Sequence, residues 1–185
     1  MKVSVVPTTR ATTIPERPLP GAGASHYGRG APGDASGAVT NEDYAAMLVE
    51  FEGGAVGTFE ASRTLVGPES QMAFDIYGTK GALGWNLERL NELRVSFGEG
   101  YTTILGGDRH PYHGVFVPGN ANPIGFEDLV AIEDFEFLQA VARGEQHEPG
   151  FDEALAVVSV QDALVRSWDS GGWEDVVPVR EAVSA

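Results

Sequence analysis

The chain has 185 residues, 42% hydrophobic and 21% charged, a globular composition long enough for one domain and short for two. Twelve Lys and Arg against 27 Asp and Glu leave a formal charge of −15, a field that repels phosphate backbones and anionic membrane surfaces. With no cysteine, disulfides, thiolate metal sites, iron–sulfur clusters and a Cys nucleophile are excluded, and no apolar run approaches the roughly 18 residues of a membrane span.

Residues 2–6 are β-branched and predict a short strand. The opening residues are too short and too weakly charged for a signal peptide, so a cytoplasmic location is expected. Residues 15–37 carry Pro, Gly and small polar residues with hardly a bulky apolar side chain. They predict a long loop. Residues 42–51 and 55–63 read as two strands joined at Gly53-Gly54, with positive φ expected at both glycines. Further strands are predicted at 71–77, 81–87, 92–97 and 101–105, each bounded by glycine. Consecutive short strands of this kind predict a largely antiparallel meander.

Residues 106–125 look irregular, rich in His, Pro, Gly and Asn. The period then changes. Leu129, Ile132, Phe135, Leu138 and Val141 predict an amphipathic helix stopped by Gly144. Phe151, Leu155, Val158, Val165 and Trp168 predict a second, stopped by Gly171-Gly172, and residues 173–179 a last strand. Trp85, Trp168 and Trp173 are expected as core anchors. Strands first and helices last predict an α+β fold, an open, mainly antiparallel sheet with two C-terminal helices packed on one face. Residues 1–185 are expected to form a single domain.

The nearest approach to a dinucleotide fingerprint, Gly21-Ala22-Gly23-Ala24-Ser25-His26, has His at the third glycine and follows Pro-Leu-Pro, not a strand. It is read as a loop. The densest polar cluster is Asp108-Arg109-His110-Pro111-Tyr112-His113. Asp108, His110 and His113 could be spaced as metal ligands, but Pro111 stiffens the stretch, and no metal is expected. A substrate-lining loop or a plain solvated loop remain for it. Arg63, at a strand end, could meet a hydroxyl or carboxylate, or simply pair with Glu60 or Glu69.

Several strings, in order, resemble the C-terminal domain of the glucose–fructose oxidoreductase, inositol dehydrogenase and rhizopine catabolism (Gfo/Idh/MocA) family. They begin with Thr40-Asn41-Glu42-Asp43-Tyr44-Ala45, Leu48-Val49-Glu50-Phe51-Glu52-Gly53-Gly54 and Glu60-Ala61-Ser62-Arg63. Next come Ile76-Tyr77-Gly78-Thr79-Lys80-Gly81-Ala82-Leu83, Asn91-Glu92-Leu93 and His110-Pro111-Tyr112. Pro123-Ile124-Gly125-Phe126-Glu127-Asp128, Asp134-Phe135 and Gln161-Asp162-Ala163 complete the pattern.

The resemblance implies an open antiparallel sheet that contributes substrate contacts and a broad oligomer surface. It implies the substrate-binding and oligomerisation half of an NAD(P)-dependent sugar or polyol (inositol-like) oxidoreductase. Arg63, His110, Tyr112 and His113 would line the polyol pocket. The family's Rossmann fingerprint, its Glu-Lys-Pro segment with the catalytic lysine and its Asp-x-x-x-His helix find no match in the sequence. Residues 5–18 resemble the stretch just after that helix. The chain is therefore expected to begin partway into the family's second domain, to hold no catalytic residue or cofactor alone, and to be inactive by itself. NAD or NADP would come through a partner Rossmann domain on a separate chain, or the open sheet face would build a homo-oligomer. The alternative is a non-catalytic binding or assembly module, or a truncated remnant of such an enzyme. Neither nucleic acid nor membrane is an expected partner.

Overall fold

The computed structural model describes residues 14–19, 35–117, 119–120 and 122–177, with the backbone alone for 3–11. The fold is α+β, with open antiparallel sheets and helices toward the C-terminal end. The described residues belong to two compact units, one drawn from 1–65 and 149–185, the other from 66–148.

In the first unit a four-stranded sheet runs β10-β1-β4-β5, all neighbours antiparallel. Its strands are β1 (Val3–Ala11), β4 (Tyr44–Phe51), β5 (Val56–Ser62) and β10 (Glu174–Asp175). The predicted hairpin is present as β4 and β5. Only Gly54, at φ 81°, takes the left-handed conformation that a Cβ would penalise, so one glycine of the pair, not both, is required. Its N–H and that of Phe51 close the turn on Phe51 O and Ala55 O, each at 2.8 Å. The final strand is shorter than predicted: β10 has two residues, and 178–179 lie outside the described residues. Trp173 beside it is 51% exposed, so it is no core anchor.

The two described ends of the predicted loop form a ladder. β2 (Glu16–Pro18) and β3 (Ser36–Ala38) pair antiparallel, with Glu16 opposite Ala38 and Pro18 opposite Ser36. Residues 20–34 lie outside the described residues. Composition alone misses this ladder because its holding groups are remote. Asp43, whose side chain is fully buried, accepts from Ile14 N at 2.8 Å and pairs with Arg17.

α3 (Phe151–Ser170) packs on β1 and β10. The period predicted the helix but not its contact face. Phe151, Val158 and Val165 are about half exposed or more, whereas Ser159, Ala163 and Ser167 are buried. This i, i+4, i+8 stripe of small residues lets the helix axis approach the sheet closely. Its two hydroxyls are satisfied, Ser159 Oγ on Leu155 O and Ser167 Oγ on Gly172 O. Asp162 is exposed and pairs with Arg166, which also donates to Asp175 O at 2.8 Å and so ties β10 to the helix.

In the second unit the meander order holds, β6-β7-β8-β9. The strands are β6 (Ala73–Gly78), β7 (Gly81–Asn86), β8 (Glu92–Ser96) and β9 (Thr102–Leu105). Register separates the faces. Phe74, Trp85, Leu93 and Ile104 form one transverse row, and Ile76, Leu83, Val95 and Thr102 the next. The opposite face carries Asp75, Gly84, Arg94 and Thr103. Arg94 reaches Asp75 at 2.8 Å across Gly84, where a Cβ would stand 2.2 Å from Asp75 Oδ1. A glycine there leaves the path of the ion pair open.

The region predicted as irregular contains a helix, α1 (Pro111–Phe116). Proline at the first helical position is a start signal, since its missing N–H is one the helix leaves unpaired there. Gly114 inside so short a segment masks the period. α2 (Phe126–Arg143) follows. The Asp128 carboxylate accepts from Gly125 N at its start, and Gly144 ends it at φ 66°.

Candidate functional site

His110, Tyr112 and His113 are brought together by α1, with His110 as the residue preceding its first turn. Arg63 belongs to the other unit. Its backbone N–H donates to Asp43 O at 3.0 Å, and its side chain is exposed. Among the described residues no ion pair involves Arg63. The expected partner Glu60 instead accepts the Tyr44 phenol across β4 and β5, which raises that phenol above the ordinary tyrosine value.

α1 is held by groups far away in sequence. Asn91 is the central clamp. Its Nδ2 donates to Ile124 O at 2.8 Å, its Oδ1 accepts from Ile124 N at 2.9 Å, and its backbone O accepts from Gly106 N at 2.8 Å. Ile124 is buried, and so is His113 at 9% exposure. The His113 ring lies against Gly106, where a Cβ would stand 2.7 Å from Cε1 and 2.9 Å from Nε2. His113 Nε2 is buried and has no hydrogen-bond partner among the described residues. The neighbouring loop is fixed by Asn120, whose Oδ1 accepts from Asp108 N at 3.2 Å.

Gly106→Ala is accordingly expected to push the imidazole aside and destabilise the unit by about 1–3 kcal/mol, the usual cost of overpacking. A lowered denaturant midpoint with a displaced His113 ring resonance checks it. An unshifted ring would show that the close approach is not what requires glycine.

Tyr112 is 40% exposed. Its phenol hydrogen-bonds the Glu136 carboxylate, which, with some loss of hydration and the nearby negative charge, raises it above the ordinary tyrosine value. Glu136 Oε2 also lies 2.9 Å from His147 Nε2. Phe116 joins the helices, its ring 6.5 Å from Tyr112 and 5.4 Å, edge-on, from Phe135. Sequence reading missed Asn91, Glu136 and His147 as parts of the site, because nothing local marks partners 11 to 33 positions apart.

The rings of His110 and His113 are 6.2 Å apart, and His110 and Asp108 are exposed. Among the described residues no three His, Asp or Glu side chains form a group able to hold a metal ion. The described residues do not fit a nicotinamide cofactor. Every described strand pair is antiparallel, whereas a dinucleotide cradle needs a parallel βαβ unit with a glycine turn at the helix start. What the arrangement offers is hydrogen-bonding chemistry: imidazole and phenol groups suited to hydroxyls. No helix among the described residues is long and apolar enough to cross a membrane.

Residues 4–176 match the family described as the oxidoreductase family, C-terminal alpha/beta domain. A levoglucosan dehydrogenase of Pseudarthrobacter phenanthrenivorans is 36% identical over 181 residues, covering 94% of this chain and 46% of that protein. An inositol 2-dehydrogenase of Rhizobium meliloti is 28% identical over 93 residues, covering 50% of this chain and 24% of that protein. A solved structure of levoglucosan dehydrogenase in complex with NADH and L-sorbose superposes with a TM-score of 0.80 at 33% identity, over 95% of this chain and 45% of that one. The chain thus spans under half the length of these relatives.

Proposed function

The chain belongs to the Gfo/Idh/MocA oxidoreductase family as its C-terminal domain, and from that premise we propose that residues 1–185 act as one substrate-binding and oligomerisation domain of an NAD(P)-dependent sugar or polyol dehydrogenase. NAD or NADP is held by a Rossmann domain outside these residues, and without it the chain turns over no substrate. His110, Tyr112 and His113 contact the sugar, their imidazoles and phenol bonding its hydroxyls, and Arg63, on the other unit, is a separate candidate that donates to sugar oxygens. What carries this reading is the short helix α1, which gathers His110, Tyr112 and His113 and whose His113 ring packs on the Gly106 that the Asn91 backbone oxygen holds.

The test is NAD- and NADP-dependent oxidation of levoglucosan and myo-inositol by the chain combined with a Rossmann domain of the family. Arg63→Ala, His110→Ala and Tyr112→Phe are expected to raise KM about tenfold each, the loss of one sugar hydrogen bond. A combined protein that binds cofactor but oxidises neither would overturn the dehydrogenase reading.

The alternative, an assembly module, draws on the β6–β9 sheet. Phe74, Ile76 and Ile104 on its apolar face remain 44–55% exposed, which suits burial against a second copy. Both readings place the oligomer contact there. A homo-oligomer by native mass, with no sugar bound in calorimetry, would favour the assembly role alone.

A further inference from the structure

His113 carries a polar atom that folding has buried and left unmet. The residue is 9% exposed, and its Nε2 has no hydrogen-bond partner among the described residues. A buried nitrogen without a partner forfeits its hydration and gains nothing in return, so an orphan of this kind calls for a cause.

The edge of the ring that bears Nε2 is closed by backbone. A Cβ on Gly106 would stand 2.7 Å from His113 Cε1 and 2.9 Å from Nε2, so residue 106 lies across that edge. The Asn91 amide beside Gly106 is turned to Ile124 instead. Its Oδ1 accepts from Ile124 N at 2.9 Å, and its Nδ2 donates to Ile124 O at 2.8 Å.

Residues 106–108 follow directly on β9 and are tied at three points. Gly106 N donates to Asn91 O at 2.8 Å, His110 N donates to Gly107 O at 2.9 Å, and Asp108 N donates to Asn120 Oδ1 at 3.2 Å. Of these three ties only the last uses a side chain. It is also the longest, and Asn120 is exposed. Two consecutive glycines give the segment backbone freedom to swing once that tie is released.

We infer that residues 106–108 form a strap over His113 that a bound sugar displaces: a sugar hydroxyl takes the place of Gly106 at the imidazole edge and becomes the partner that Nε2 lacks. This rests on the reading of α1 as the sugar-binding element. A hydroxyl both donates and accepts, so it satisfies Nε2 in either tautomer of the ring. The strap also sets affinity, because a site open for only a fraction of the time binds more weakly by that fraction.

Calorimetry and imidazole nitrogen-15 spectra test this with levoglucosan, on the full chain and on its combination with a Rossmann domain of the family. Binding is expected to displace the His113 Nε2 signal. Asn120→Ala, which cuts the long tie, should bind levoglucosan about threefold more tightly, the worth of one modest hydrogen bond no longer holding the strap closed. A merely structural tie would weaken binding or leave it unchanged. His113→Leu keeps an apolar body under Gly106 and removes the orphan. Its unfolding midpoint should hold or rise while its affinity falls about tenfold. Binding that leaves the Nε2 signal in place, or an Asn120→Ala protein no tighter than wild type, overturns the inference and leaves His110 and Tyr112 as sugar contacts. Absence of binding to either protein overturns the sugar reading itself, and the strap's role with it. Independently of any sugar, diethyl pyrocarbonate should modify exposed His110 and spare His113 until Asn120→Ala frees the strap. Equal protection of His113 in that variant would refute it.

Discussion

Asp43→Ala is expected to destabilise the protein by about 3 kcal/mol, the low end for breaking one side of a buried ion pair. The low end applies because Arg17 keeps 26% of its side-chain surface in water while the Asp43 side chain has none. Two groups lose their partner together. Ile14 N gives up a bond of 2.8 Å, and the Arg17 guanidinium is left beside a cavity. For a chain of this length the change corresponds to a fall of about 10 °C in melting temperature. Asp43→Asn retains an acceptor for Ile14 N and should fall between wild type and alanine. A double-mutant cycle with Arg17→Ala measures the coupling. Additive single losses would mean that the pair contributes nothing beyond the individual contacts. Since Arg63 N also bonds Asp43 O, a shifted Asp43 backbone would reach the candidate sugar-binding side chain at the end of β5.

Asn91→Ala carries the second large effect, and it acts on stability and site together. Both backbone groups of buried Ile124 lose their partner, and each unsatisfied buried group costs about 1–3 kcal/mol. A total loss of about 2–6 kcal/mol is expected, while the Gly106 N–H keeps its bond to the backbone oxygen of residue 91. In the combined protein proposed above, with a Rossmann domain of the family, kcat/KM should fall more than in His110→Ala, because the whole Ile124 segment loosens and not one hydrogen bond. Asn91→Asp keeps the acceptor for Ile124 N and loses the donor for its carbonyl, so it should recover part of the stability. Unfolding curves of the three proteins decide the point. Identical midpoints for wild type and Asn91→Ala would show that Ile124 finds water in place of the amide.

Much of the architecture was readable from residue order because it is governed by short-range physics. Alternating apolar residues and bounding glycines marked β4 to β9, and a three-to-four-residue period marked α2 and α3. Those signals depend on which side chains share a face of one element. The same locality explains the errors. Period predicted that α3 exists, but Ser159, Ala163 and Ser167, not its large apolar residues, became the buried stripe. Which face of a helix is covered depends on what it meets. Here it meets β1, and close approach favours small side chains.

The chemistry-bearing residues divide along the same line. Residue types and family resemblance singled out His110, Tyr112 and His113, and Pro111 carried an unread signal for the helix that gathers them. Asn91 with Ile124, Glu136 with Tyr112 and His147, and Asp43 with Ile14 and Arg17 were decided only when the chain folded. Each is a bond from a side chain to a group 11 to 33 positions away. Such bonds leave no periodic trace in a sequence, because their geometry is set by where the backbone brings two distant segments.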